Sequence, residues 1–152
     1  MLAAKLNKVR TNAIKLSKEY LAKRSETVLA DVNHYCLKKG PDGTQTVFCI
    51  NNKSSKGDNY EMTVKGFKSN EAVVEVTRCT SITADAMGGV KAWFGKGEPR
   101  VFTTAKALEG TGICPEAERV VDAEPDSAAG ALGVHTGLLM TVMAAFTVLF
   151  FA

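Results

Sequence analysis

Residues 28–51 read VLADVNHYCLKKGPDGTQTVFCIN, and this stretch decides the fold. Two runs rich in β-forming residues, Val28 to Leu37 and Thr44 to Asn51, flank Gly40-Pro41-Asp42-Gly43. Glycine, proline and aspartate supply the backbone angles of a tight turn, so the pattern predicts a β-hairpin. If Asp42 and Gly43 are its two loop residues, partners across the hairpin have numbers that sum to 85, which sets Cys36 opposite Cys49. By the same count the pair falls on a non-hydrogen-bonded site, where side chains approach most closely and a cross-strand disulfide can form. A type I turn with a bulge at Gly43 would shift that register and spoil the pairing.

The β character extends outward from the hairpin. Tyr60 to Val64 alternates with period two, Gly66 turns the chain, and Ala72 to Thr77 and Ser81 to Thr83 follow. After Gly88-Gly89 come Val90 to Phe94 and then Arg100 to Thr103. Short strands at regular spacing with glycine-rich turns predict an all-β domain, an antiparallel sandwich or barrel rather than a parallel sheet. Composition agrees with one ordinary globular domain in 152 residues: 45% hydrophobic, 23% charged, net charge +3. The positive excess sits largely in the first 24 residues, and nothing resembles a nucleic-acid-binding stripe.

That amino-terminal segment carries apolar residues at Leu2, Leu6, Val9, Ala13, Leu16 and Tyr20, steps of three and four that line one face of a helix. With Lys5, Lys8, Arg10, Lys15, Lys18, Lys23 and Arg24 against Glu19 alone, it is a basic amphipathic helix. It lacks the uninterrupted apolar core of a secretory signal, and its composition mimics a mitochondrial presequence. Pro115 to Asp126, acidic and rich in Ala, Glu and Pro, reads as a linker or stalk.

The chain ends on Leu138 to Ala152, which carries no charge. Ahead of it stand the small residues Ser127, Ala128, Ala129 and Gly130 and a spacer through Leu132, Val134, His135 and Gly137. Small residues, spacer and apolar end form the layout of a glycosylphosphatidylinositol attachment signal, here over residues 127–152. A helix of the last fifteen residues would be roughly 22 Å long, short of the roughly 30 Å hydrocarbon core. The rival reading is a tail anchor whose uncharged run starts at Ala128. Both readings place the protein at a membrane, and the first places it at the cell surface. An anchoring signal without a secretory leader carries the further expectation that Met1 is not the natural start and that the chain continues upstream.

A secretory route permits disulfides, and Cys36, Cys49, Cys79 and Cys114 allow three pairings between which spacing cannot choose. Asn52-Lys53-Ser54 is the single N-x-S/T triplet, which makes Asn52 the N-glycosylation candidate. No Cys or His spacing argues for zinc. Asp31, Asp42, Asp58, Glu61, Glu75, Asp85 and Glu98 fall in turns or on strand faces expected to meet solvent, so none is a candidate half of a catalytic pair. His34 stands beside a strand and His135 in the spacer, and no base is indicated for a Ser or Cys nucleophile. Trp93, Tyr60 and Tyr35 are the aromatic candidates for a sugar-stacking platform, although one of Trp93 and Phe94 is expected to face the core.

A family likeness runs in one register from about Leu6 to Cys114. It is carried by Leu6-Asn7-Lys8-Val9-Arg10-Thr11-Asn12-Ala13-Ile14, Lys38-Lys39-Gly40-Pro41-Asp42-Gly43-Thr44-Gln45, Asn51-Asn52-Lys53, Gly57-Asp58-Asn59-Tyr60, Cys79-Thr80, Gly97-Glu98-Pro99-Arg100-Val101 and Ile113-Cys114. These pieces together resemble the carboxy-terminal end of fungal α-amylases of the Taka-amylase type, in glycoside hydrolase family 13. The resemblance implies that residues 1–24 correspond to the last helix of a (β/α)8 catalytic barrel. Residues 25–114 then correspond to the family's all-β C-terminal domain, an antiparallel Greek-key sandwich, with Cys79 and Cys114 as its disulfide. Cys36 and Cys49 have no counterpart in that pattern. The anchoring signal resembles that of fungal members held at the cell surface and associated with wall α-glucan.

By the same likeness the catalytic Asp nucleophile, the Glu acid/base, the third Asp and the calcium ligands belong to the barrel, upstream of this chain. No residue here inherits those roles, and no cofactor is expected within the chain itself. Retaining glycoside hydrolysis needs two carboxyls about 5 Å apart across a sugar cleft, and no such pair is indicated. Two function classes follow. The chain is the carboxy-terminal piece of an anchored α-amylase-like enzyme, with the barrel as its partner in cis and α-glucan or starch as substrate. Alternatively it is a stand-alone anchored wall protein with a structural or glucan-binding role. The amphipathic helix favours the first, because its face of Leu2, Leu6, Val9 and Leu16 is expected to be bare without a barrel.

Overall fold

The Gly40 to Gly43 cluster turns the chain as its residues require. The Thr44 N–H donates to the Pro41 carbonyl at 3.1 Å, and of the two loop residues only Gly43 takes a left-handed φ, +83°. That is the pattern of a type II turn, which places glycine at its third position. The flanking strands are β2 (His34–Lys39) and β3 (Thr46–Asn51), antiparallel with Cys36 opposite Cys49. The two cysteines are disulfide-bonded across the hairpin with Cα atoms 4.2 Å apart. The structure, a computed structural model, describes residues 2–53 and 58–121. The apolar end, the attachment candidates Ser127, Ala128, Ala129 and Gly130, His135, the acidic stretch beyond Val121 and Ser54 of the glycosylation triplet lie outside the described residues.

The run read as one strand from Val28 to Leu37 is two. β1 (Glu26–Ala30) ends at Asp31, whose Oδ1 accepts the backbone N–H groups of Asn33 (2.7 Å) and His34 (2.8 Å). An aspartate bonding its own backbone two and three residues ahead makes a turn, and β2 then returns beside β1. The remaining strands are β4 (Tyr60–Lys65), β5 (Ala72–Glu75), β6 (Thr80–Thr83), β7 (Gly89–Phe94), β8 (Arg100–Thr104) and β9 (Val120–Val121). Of all the strands among the described residues, seven form one sheet in the order β1-β2-β3-β8-β5-β6-β9, and β4 and β7 pair as a separate ribbon. All pairings are antiparallel except β6 with β9. Pro115 to Val121, expected as the start of a stalk, therefore contributes a 3-10 turn at Glu116–Glu118 and an edge strand.

The large sheet is covered on both faces. Between it and the ribbon lies a core that includes Cys36, Val47, Cys49, Val64, Val73, Val90, Phe94 and Phe102. On the other face Val74, Val76, Val101, Leu108, Ile113 and Cys114 pack against Val9 of the amino-terminal helix α1 (Leu2–Leu16). The central strand β8 is accordingly buried at every position. Part of the helix face expected to lie bare is covered by the sheet: Val9 is 1% exposed, and Ala13 one turn on is fully buried. The reason is that β5 and β8 carry valines outward as well as inward, giving α1 an apolar seat within this chain. Asn12 fastens the helix further, its Nδ2 donating to the carbonyls of Ala107 (2.9 Å) and Glu109 (3.1 Å) beside α3 (Ala105–Leu108). Leu16 and Leu21 do remain exposed, at 44% and 54%.

A short helix, α2 (Glu19–Ala22), brings Tyr20 onto the hairpin turn. A Cβ at Gly40 would lie 2.6 Å from the Tyr20 ring, and the backbone there has φ +98°, so the position needs glycine twice over. Cys79 and Cys114 form the second disulfide, joining the turn after β5 to the segment that follows α3.

Candidate functional site

Strand alternation separates the two aromatic neighbours of β7. Phe94 pairs in register with Tyr60 and turns into the core, whereas Trp93 pairs with Glu61 and turns to the opposite face of the ribbon. There Trp93 lines a groove of 490 Å³ beside the β5–β6 hairpin, with Glu61, Lys91, Ser81, Thr83 and Arg119 among its walls. Lys91, two residues before Trp93 and so on the same face, approaches Glu61 at 3.9 Å. The Arg119 Nε donates to the Cys114 carbonyl at 2.8 Å. A half-buried indole flanked by hydroxyls and charges of both signs is suited to a neutral polar ligand with one apolar face.

The backbone at Trp93 is held by a buried ion pair. Arg100 and Glu75, 2% and 1% exposed, meet at 3.3 Å between Nη1 and Oε2, and Arg100 Nη2 donates to the Trp93 carbonyl. The guanidinium therefore bridges β5 of the large sheet to β7 of the ribbon. The Glu75 carboxylate also accepts from the backbone N–H groups of Thr77 (3.1 Å), Arg78 (2.8 Å) and Val101 (3.3 Å) and from the Thr77 hydroxyl. Glu75, expected at solvent, is thus buried. Its position alternates with Val73 on the inward face, and five donors compensate its desolvation. The available signal was a single acid inside the apolar run Ala72-Val73-Val74-Glu75-Val76, on a strand buried on both faces.

A second constellation sits at the β1–β2 turn. His34 Nδ1 lies 2.9 and 3.0 Å from the two Asp31 oxygens, and its Nε2 lies 2.7 Å from the Tyr60 hydroxyl. The Tyr60 ring stacks on Phe94 and carries the Lys53 ammonium 3.8 Å from its centroid. Burial pushes the Tyr60 phenol up, with the Asp31 charge adding to the effect, so this hydroxyl is a poor nucleophile at neutral pH. The three aromatic candidates do not form one platform. Tyr60 is engaged within the fold, Trp93 faces away from it, and Tyr35 stands half-exposed on β2 with its hydroxyl 3.2 Å from Thr27 Oγ1. Asn52 is exposed after β3, its Nδ2 donating to the Val32 carbonyl at 3.1 Å.

Two exposed acids respond to pH in a direction set by their hydrogen bonds. The Asn33 N–H and then the His34 side chain hold the Asp31 carboxyl below its ordinary value of 3.8. The N–H groups of Gly89 and Met87 do the same for Asp85. A depressed folded-state value means stability that is fully present above pH 3.8 and is lost as pH falls through the folded value. Urea midpoints measured down the acid branch are expected to fall below that pH, and Asp31→Asn is expected to shallow the slope. An unchanged slope in that variant would dissociate Asp31 from the acid transition.

Among the described residues no group of three His, Cys, Asp or Glu side chains is placed to hold a metal ion. No described helix is long and apolar enough to cross a membrane.

Comparison with known proteins adds the family context. The family model for α-amylase domain C matches residues 27–122. α-Amylase 1 of Schwanniomyces occidentalis is 31% identical over 115 residues, covering 74% of this chain and 22% of that protein. α-Amylase 2 of the same yeast is 26% identical over 113 residues, with the same coverage. Among solved structures, an α-amylase from Malbranchea cinnamomea superposes with a TM-score of 0.63 at 28% identity, over 72% of this chain and 23% of its own. The chain spans about a fifth of the length of the curated relatives it matches.

Proposed function

The chain belongs to the α-amylase domain C family, and on that premise we propose that it is the carboxy-terminal, non-catalytic β domain of a secreted α-amylase-like glycoside hydrolase acting on α-1,4-glucans. The observation that carries the reading is the family match over residues 27–122, from just after α2 to just past the last strand. The seating of α1 on the outer face of the sheet supports it. A helix preceding the β domain would be fixed to it through Val9, Ala13 and Asn12, so that the two move together. Leu16 and Leu21 then offer exposed apolar surface toward a preceding barrel. Residues 127–152 act as the anchoring signal that holds the enzyme at the cell surface, with attachment at one of Ser127, Ala128, Ala129 or Gly130, and Asn52 carries an N-linked glycan. Chemistry belongs to the barrel. The buried Glu75 is committed to Arg100, and the His34 imidazole to Asp31 and Tyr60, which leaves neither as an acid or base for substrate.

The transcript upstream of the Met1 codon tests the reading. An in-frame extension encoding a secretory signal and a barrel is the expected result, and a stop codon directly ahead of Met1 would overturn it. The pure 152-residue protein is expected to release no reducing ends from starch. Measurable release would remove the non-catalytic assignment. Loss of cell-surface protein on treatment with phosphatidylinositol-specific phospholipase C is the check on the anchor.

A further inference from the structure

We infer that the groove along Trp93 binds a neutral α-1,4-glucan chain, the indole stacking on a glucose ring while Glu61, Lys91, Arg119 and the hydroxyls of Ser81 and Thr83 hydrogen-bond its edges. Three observations lead there. First, the core does not need this indole. Phe94 supplies the inward aromatic of β7, and Trp93 points to the outer face of the ribbon. A large aromatic kept in a groove of 490 Å³, within the usual size range of ligand sites, is a candidate anchor. Second, the groove is prebuilt. Arg100, held by Glu75, grips the Trp93 carbonyl, so the strand that presents the indole is tied to the large sheet before any ligand arrives. Third, the chemistry of the walls matches a sugar. Two cations, one anion and two hydroxyls supply donors and acceptors beside apolar wall residues such as Ile82, without a strong field of either sign. Tyr35 and Tyr60 do not share the site. Tyr60 is spent on His34 and Phe94, and Tyr35 lies on a different strand of the large sheet.

The choice of an α-1,4-glucan over other neutral saccharides rests on the function proposed above; the site itself rests on the geometry. Trp93 is the single tryptophan of the chain, so selectively excited tryptophan emission reports this groove alone. Titrating the full 152-residue chain with maltoheptaose is expected to give a saturable blue shift in the millimolar range, with no response to cellohexaose. Trp93→Ala, at a position the core does not use, is expected to fold and to lose about tenfold in retention on cross-linked amylose, whereas Tyr35→Ala keeps full retention. An emission spectrum that stays flat under maltoheptaose, or equal retention of Trp93→Ala and the parent chain, would overturn the site. An equal response to cellohexaose would overturn the α-glucan assignment. Neither outcome touches the upstream transcript, which decides the parent enzyme separately.

Discussion

Replacing Glu75 with glutamine is expected to lower the unfolding free energy by about 3–5 kcal/mol, the range for removing one partner of a buried ion pair. The magnitude follows from what is left behind. Arg100 is 2% exposed and cannot lose its proton, so without Glu75 its charge stays buried between the sheets without the carboxylate that now meets it. The amide nitrogen of glutamine would also point a donor at N–H groups that now donate to Glu75, from Thr77, Arg78 or Val101. Because a domain of this size has only about 5–15 kcal/mol of stability in total, the variant sits near the edge of folding. A double replacement, Glu75→Leu with Arg100→Met, removes both charges and is expected to recover much of the loss. Chemical denaturation of the parent, the single and the double variant gives the comparison. If the single variant unfolds with the parent, or if the double is no better than the single, the ion pair is not what joins the ribbon to the sheet.

The contrast between Glu75 and Cys36 shows what could be read from the chain. Pairing across a hairpin is local. Once Asp42-Gly43 form the turn, geometry sets Cys36 against Cys49, and strand periodicity alone sends Phe94 and Trp93 to opposite faces. Glu75 meets Arg100 only because β5 and β8 become neighbours although the two residues stand 25 positions apart, a fact of topology that local pattern does not carry. The same holds for α1. Its amphipathic face is plain in the sequence, but its partner, the outward valines of β5 and β8, depends on which strands lie side by side. The break at Asp31 was legible in principle. An aspartate two residues before Asn33 and three before His34 can make both backbone bonds, yet the β-forming residues on either side outweigh it in a pattern count. The groove at Trp93 combines the two cases. That one of Trp93 and Phe94 faces outward follows from alternation, whereas the choice of the indole and its walls on β6 and at Arg119 depend on distant parts of the chain.

Loss of the Cys79–Cys114 bond is expected to cost about 4 kcal/mol and loss of Cys36–Cys49 about 3 kcal/mol, from the entropy of closing loops of 35 and 13 residues in the unfolded chain. The order should survive corrections from the folded state, because the two bonds hold different things. Cys36 and Cys49 already face each other in a hairpin closed by its own turn and six registered pairs, so the strands stay together without the bond. Cys114 is the last residue of the apolar cluster that seats α1, and Cys79 and Cys114 both take left-handed backbone angles, φ +57° and +47°. A non-glycine residue in that region costs about 1–2 kcal/mol. Without the bond, residues near Cys114 can relax out of it and carry the 3-10 turn and β9 away from β6. Cys79→Ala with Cys114→Ala is therefore expected to lower the urea midpoint more than Cys36→Ala with Cys49→Ala. It is also expected to expose the 105–121 segment to limited proteolysis, which the hairpin variant does not. Equal protection of that segment in both variants would show that packing of Ile113 and Leu108 against Val9, rather than the disulfide, keeps the end of the domain in place.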